Sequence, residues 1–176
     1  MASEVQALVA DGDLAGAWTL DGAASSVGLA SKSMWGLVKV KGVFSQVSGA
    51  AVISKSGDAT GTITVAAASV GTGIKKRDDH LRSRDFFDAE KYPDISFSAT
   101  SVTLSGESAV VSGTLTVRDQ IKPVTITAAI AAHGADEISL DAVLPVNRAD
   151  YGMSFNQLGM MSLDNTITIH AVFTRA

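Results

Sequence analysis

The chain contains no cysteine. That excludes disulfides, thiolate metal sites and cysteine nucleophiles, and it suits a reducing compartment. Aromatic residues make up 6% of the sequence and charged residues 18%, the latter below the roughly 25% of an average soluble domain. No run approaches the roughly eighteen consecutive apolar residues of a membrane-spanning helix. Fourteen basic against eighteen acidic residues give a formal charge of −4, which offers no electrostatic footprint for a nucleic acid. Also missing are a glycine-rich phosphate loop, a GxSxG elbow, paired catalytic carboxylates and histidines at HxH or HExxH spacing. No cofactor, metal or catalytic group is therefore predicted.

The first sixteen residues, MASEVQALVADGDLAG, have an acid at Glu4, no basic cluster, and apolar positions broken by Asp11 and Asp13. They do not read as a signal peptide. Residues 1–16 are expected to be a lead-in of modest helical potential and a tendency to disorder, and residues 17–176 a single domain. The expected location is the cytoplasm and the expected state a monomer or homodimer.

What is present is the vocabulary of strands. Hydrophobic residues reach 46%, mostly Ala, Val, Ile and Leu, and they alternate with polar ones. Val38 and Val40 alternate with Lys39 and Lys41, and Ile63 and Val65 with Thr62 and Thr64. Longer rows run through Val124, Ile126, Ala128 and Ile130, then from Ile138 to Val146, then from Ile167 to Phe173. A period of two is the signature of half-buried strands. Turn clusters such as Ser56-Gly57-Asp58, Ser105-Gly106-Glu107 and His133–Asp136 separate them. The prediction is a mainly β protein: one antiparallel barrel of about eight strands, since closure removes exposed edges.

One stretch breaks the pattern. Arg77 to Pro93 reads RDDHLRSRDFFDAEKYP and mixes both charges with two adjacent phenylalanines. A short helical segment is expected near residues 78–91, capped by Asp78 or Asp79 and ended by Tyr92-Pro93. This segment, continued to Phe97, joins WTLDGAASSVG from Trp18, Gly42-Val43-Phe44, Gly113–Thr116, Lys122-Pro123-Val124 and Asn147–Met153. On these residues the chain resembles the YceI-like family over about Ala17 to Phe173. The resemblance implies a lipocalin-like barrel that binds a polyisoprenoid, fatty amide or similar long-chain amphiphile. Two positions where the family often carries histidine are Ala24 and Ser33 here, so a head-group contact made there by other members would be missing.

An eight-stranded barrel is either filled by its own side chains or just wide enough for a small ligand. Strands rich in Ala, Gly, Ser and Val favour the hollow alternative. The expected ligand-lining residues are Leu29, Val38, Phe44, Ile63, Phe86, Phe87, Phe97, Ile126, Leu144, Met153 and Phe155. Phe86 and Phe87 either seal the core or line a portal. Gly152 to Met161 reads either as a mobile apolar mouth loop or as a loop whose methionines fill core gaps. Lys75, Lys76, Arg77, Arg82 and Arg84 either attract a head group or pair with Asp78, Asp79, Asp85 and Asp88. Arg148 and Asp150 look like a local ion pair. The expected function is non-enzymatic binding, carriage or sequestration of a polyisoprenoid or fatty-acid-like lipid. Its rivals are an enzyme using His80 with Asp79 or Arg82 as acid-base groups, and a ligand-free scaffold that docks a partner protein.

Overall fold

The computed structural model describes residues 4–176, the side chain of Gln157 excepted; Met1, Ala2 and Ser3 of the predicted lead-in lie outside the described residues. A short helix, α1 (Glu4–Ala10), precedes β1 (Gly16–Leu20), β2 (Ser26–Ser33), β3 (Val38–Phe44), β4 (Val47–Ile53), β5 (Ala59–Ala66) and β6 (Val70–Gly71). Helix α2 (Lys75–Arg82) leads by turns to β7 (Asp94–Ser105), β8 (Ser108–Val117), β9 (Gln120–Ala132), β10 (Glu137–Asn147) and β11 (Asp164–Arg175). The strands follow the order β1-β4-β5-β7-β8-β9-β10-β11, and β1 pairs again with β11, which closes an antiparallel ring of eight.

The remaining short strands are continuations. β2 and β1 lie end to end along one edge of β11, opposite Thr166–His170 and Phe173–Arg175. They are broken at Asp21, whose carboxylate accepts the amides of Ala23 and Ala24 in an Asx turn. Likewise β3 continues β4 and β6 continues β5. One end of the ring is therefore fully paired. At the other end β6 pairs only with β3, while β7 begins opposite Ala66. The chain from Thr72 to Pro93 fills the break, anchored by Ala67 N donating to Pro93 O at 2.8 Å.

Every predicted apolar row faces inward. Val65, Leu115, Ile126 and Leu144 are buried in a cluster with Phe44, Phe86 and Phe87, and Ile138, Ala171 and Phe173 in a second cluster at the paired end. The alternation decides this, because successive side chains of a strand point to opposite faces of the sheet.

Two details refine the expectation. The lead-in, as far as it is described, is ordered by burial: Val5 and Leu14 are 2% and 1% exposed. Gly12 ends α1 at φ +75, a backbone that glycine adopts without steric cost. Leu14 O then accepts the Trp18 indole N–H at 2.9 Å, and the Arg175 guanidinium lies 4.5 Å over the indole ring. Trp18 and Leu14 thus plug the paired end.

The helical segment runs from 75 to 82, starting earlier and ending sooner than expected, with Ile74 rather than an aspartate before it. Asp78 is instead turned back on the preceding loop, accepting Thr72 N at 2.9 Å and Thr72 Oγ1 at 2.5 Å. Beyond Ser83 the chain to Tyr92 is a series of turns.

Strand β7 bulges between Ala99 and Ser101, where it crosses Gly113 of β8. A Cβ at Gly113 would sit 2.0 Å from Ser98 O, a backbone atom that cannot swing aside. Gly113→Ala is expected to destabilise the fold by about 1–3 kcal/mol or more, read as a lowered urea midpoint at unchanged slope.

Candidate functional site

The barrel is hollow. A chamber of about 200 Å³ occupies the α2 end, and a second of about 140 Å³ lies toward Trp18. Both are lined by Ile63, Phe97, Ile126 and Ile169, so these four side chains form the waist where the chambers adjoin. Each volume falls below the roughly 300–1,000 Å³ of a small-ligand site, and together they fall within it.

Small residues make the space. Ala51, Ala59, Gly61, Ala99, Ala128, Ala142 and Ala171 all line the inner chamber, at positions where Leu or Phe would fill it. Among the described residues no charged one lines that chamber. The outer chamber has a different character at its mouth, where Lys32, Arg77, His80, Arg148 and Asn165 join the apolar lining. The cavity is greasy along its length and polar at one end.

Ten of the eleven residues expected from sequence line this space. Leu29, Val38, Phe44, Phe86, Phe87, Leu144 and Met153 surround the outer chamber, and Ile63, Phe97 and Ile126 stand at the waist. Phe155 does not line either chamber. Its ring is edge-on to His80 and Phe86 at 4.9 and 5.8 Å, so it backs them rather than facing the cavity. Phe86 and Phe87 are both buried and both line the chamber, so sealing and lining are one role. Sequence reasoning did not assign the inner chamber to the site, although its walls belong to the same alternating rows. Arg77, weighed from sequence as a head-group attractor, reaches the mouth from α2; Arg148, Met161 and Asn165 were not expected in the lining because each reaches it from a loop, a short turn or a strand end.

Arg148 organises the mouth. It is only 5% exposed and does not pair with Asp150, contrary to expectation. Its Nη1 donates to Met153 O at 2.7 Å, Nε to Ser162 O at 3.0 Å and Nη2 to Met161 O at 3.3 Å. The guanidinium also lies 5.4 Å over the Phe86 ring. Three carbonyls thus stand in for a counter-ion, and burial pushes the Arg148 pKa below the usual guanidinium value. The loop that read as mobile or gap-filling is tied at both ends: Met153 is buried and Asn156 Oδ1 accepts Met161 N at 2.8 Å. The neighbouring Tyr151 has its pKa raised, first by burial and then by Asp150.

The α2 charges are largely consumed locally. Lys75 and Arg82 both hold Asp79, at 2.8 and 3.0 Å, and the Lys75 hydrogen bond leads in lowering the Asp79 pKa. Arg82 also donates to Ala68 O and Val70 O, pinning α2 to the broken strand. Arg77 donates to Thr72 through Nε at 2.7 Å. His80 is not paired with Asp79 or Arg82. Its Nε2 is 2.8 Å from Asp85 Oδ2, and its ring packs edge-on against Phe86 at 5.0 Å. Arg118 joins two mouth segments, donating to Phe86 O at 3.3 Å and Gly152 O at 3.0 Å. Among the described residues no group of His, Asp or Glu is arranged to hold a metal ion.

Fold and hollow define a class: a lipocalin-like antiparallel β-barrel with an internal apolar cavity. The chain belongs to the family described as the YceI-like domain, which matches residues 18–174. It is 43% identical over 74 residues to a UPF0312 protein of Photorhabdus laumondii and 40% identical over 74 residues to protein YceI of Escherichia coli. Those stretches are 42% of this chain and span 38% and 39% of the two relatives. Among solved structures it is similar to BcnA of Burkholderia cenocepacia, with a TM-score of 0.79 at 26% identity over 87% of this chain and 98% of that one. It also shares the fold of a polyisoprenoid binding domain from Saccharophagus degradans, with a TM-score of 0.76 at 19% identity over 90% and 98% of the two chains.

Replacing the Arg148 fork by a point charge tests its structural part. Arg148→Lys cannot match three divergent carbonyls, each hydrogen bond being worth about 1 kcal/mol. A loss of about 1–3 kcal/mol is expected in chemical denaturation, with faster hydrogen exchange at the amides of residues 153–162.

Proposed function

We propose that the barrel binds a polyisoprenoid or similar long-chain amphiphile, tail inward and head group at the mouth, and carries or sequesters it without chemical change. One observation carries this reading: two adjoining apolar chambers have polar groups at one end only. A tail gains about 0.8 kcal/mol per buried methylene, so a five-carbon prenyl unit contributes on the order of 3 kcal/mol before ordering costs. Tight binding then needs few polar contacts. It also follows that chain length, rather than fine chemistry, limits the ligands accepted.

The polar end suits a head group. Arg148 has five N–H donors in its fork, of which three are used by Met153, Ser162 and Met161. A phosphate, carboxylate or carbonyl oxygen brought into the outer chamber would meet a cation that has no carboxylate partner among the described residues. The shared architecture of a polyisoprenoid binding domain agrees with this choice of ligand. His80 pairs with Asp85 and packs between Phe86 and Phe155, which makes it part of the mouth wall.

The inner chamber provides the test. Ala142 stands opposite Ile169 and Ala128 in the neighbouring strands and lines the inner chamber. Ala142→Phe is expected to weaken binding of prenols long enough for both chambers by at least about tenfold, a loss of about 1.4 kcal/mol, and to spare a prenol that fits the outer chamber. Fluorescent-probe displacement measures both affinities, and organic extraction with mass spectrometry of the purified wild-type protein identifies any resident lipid. Equal affinity of both proteins for the long prenol, or recovery of a chemically altered probe, would count against the proposal.

A further inference from the structure

From the rim of the mouth we infer that the protein docks, mouth first, on an anionic phospholipid surface through a lip built from the β2–β3 turn and the loop Leu158–Met161. The inference rests on the lipid-binding reading for its purpose, while its geometry is independent of cavity occupancy. Leu37, Leu158 and Trp35 are 85%, 79% and 64% exposed, and Met34 is also exposed. Four large apolar side chains concentrated on two adjoining turns are unlike the scattered single exposures of an ordinary surface.

The lip is built rather than loose. Trp35 N donates to Met160 O at 3.0 Å, the Trp35 indole N–H to Leu158 O at 3.3 Å, and Ser162 N to Lys32 O at 3.0 Å. These bonds join the hairpin tip and the loop into one projection. Met34, Trp35 and Leu158 have φ of +50, +55 and +55, a region that bulky L-residues adopt rarely. Extended backbone at these points would return alternate side chains to the barrel; the left-handed turns leave them outside. The residues flanking the lip, Ser33, Val38 and Met161, line the outer chamber, so an apolar surface pressed on the lip would be continuous with the cavity.

Charge selects the occupant. Lys39 and Lys41 are on the outer face of the same hairpin, and Lys32 lies directly across from Lys39. Like charges directly opposed destabilise a strand pair, and none of the three forms an ion pair among the described residues. This basic strip stands in a chain whose formal charge is −4. A second copy of the chain meeting the lip across a two-fold axis would bring lysines against lysines. An anionic bilayer meets them with phosphates, receives the leucines in its apolar layer and places the indole at the interface that Trp favours.

Trp35 is itself the reporter, since the other tryptophan, Trp18, is 1% exposed. The full chain is to be mixed with vesicles of phosphatidylglycerol and phosphatidylcholine in equal parts, and with vesicles of phosphatidylcholine alone. Flotation with the mixed vesicles, a blue shift of Trp35 emission and protection from acrylamide are expected, with partitioning reduced about tenfold or more on neutral vesicles. Leu37→Ser with Leu158→Ser, and separately Lys39→Glu with Lys41→Glu, are expected to abolish flotation while keeping the melting temperature and the affinity for a prenol probe. Ala142→Phe is expected to keep flotation, which separates failure of the lip from failure of the cavity. Wild-type flotation on neutral vesicles equal to that on mixed ones, no flotation on either, or unchanged flotation of the lip variants would overturn the inference. So would acrylamide protection of Trp35 without vesicles in a protein that sediments as a dimer.

Discussion

The pairing of β1 with β11 is the constraint on which the rest depends. It turns a twisted eight-membered sheet into a ring, and a ring forces alternate side chains into a shared interior. Once closed, the sheet has a circumference set by its strand number and stagger, not by the size of its side chains. Where those side chains are Leu and Phe the interior packs; where they are Ala and Gly it cannot collapse to follow them. The chambers on either side of Ile63, Phe97, Ile126 and Ile169 are the consequence.

Hollowness has a cost in lost dispersion contacts, and the structure offsets it at the ends. At the paired end Trp18, Leu14 and Phe173 pack into a sealed cluster beneath α1. At the other end the ring is not fully paired, and α2 with its following turns brings Phe86 and Phe87 against Phe44. One end is thus closed by strand pairing and a plug, the other by segments that meet through side chains and carbonyls. Opening the second end breaks no strand ladder, whereas opening the first would.

Arg148 concentrates that asymmetry. A buried cation without a carboxylate is held by carbonyls from Met153, Met161 and Ser162, which fixes the loop and leaves a positive centre at the mouth. The fully apolar inner chamber could not hold such a charge. The polarity of the cavity therefore follows from where the barrel ladder ends and loops begin to supply unpaired carbonyls.

How much of this was legible from sequence follows the range of the interactions. Strand positions and their inward faces were, because alternation is a local property: Val38 and Val40 against Lys39 and Lys41 need no knowledge of partners. Seven expected lining residues consequently reach the cavity from strands; Phe86, Phe87 and Met153 reach it from turns, and Phe155 does not reach it. Partner choice was not legible. Asp150 is close to Arg148 in sequence, yet the guanidinium is satisfied from residues up to fourteen positions away; His80 lies beside Asp79 in sequence, yet binds Asp85. The order of α1 was hidden too, since Val5 is buried only after the ring exists to receive it. The sequence by itself determined the barrel, its inward faces and its family resemblance, because periodicity is written residue by residue. Tertiary structure alone decided that the space is divided in two, that one end is polar, and that Trp35 and Leu158 share a rim, because these depend on where loops distant in the chain meet once the ring has closed.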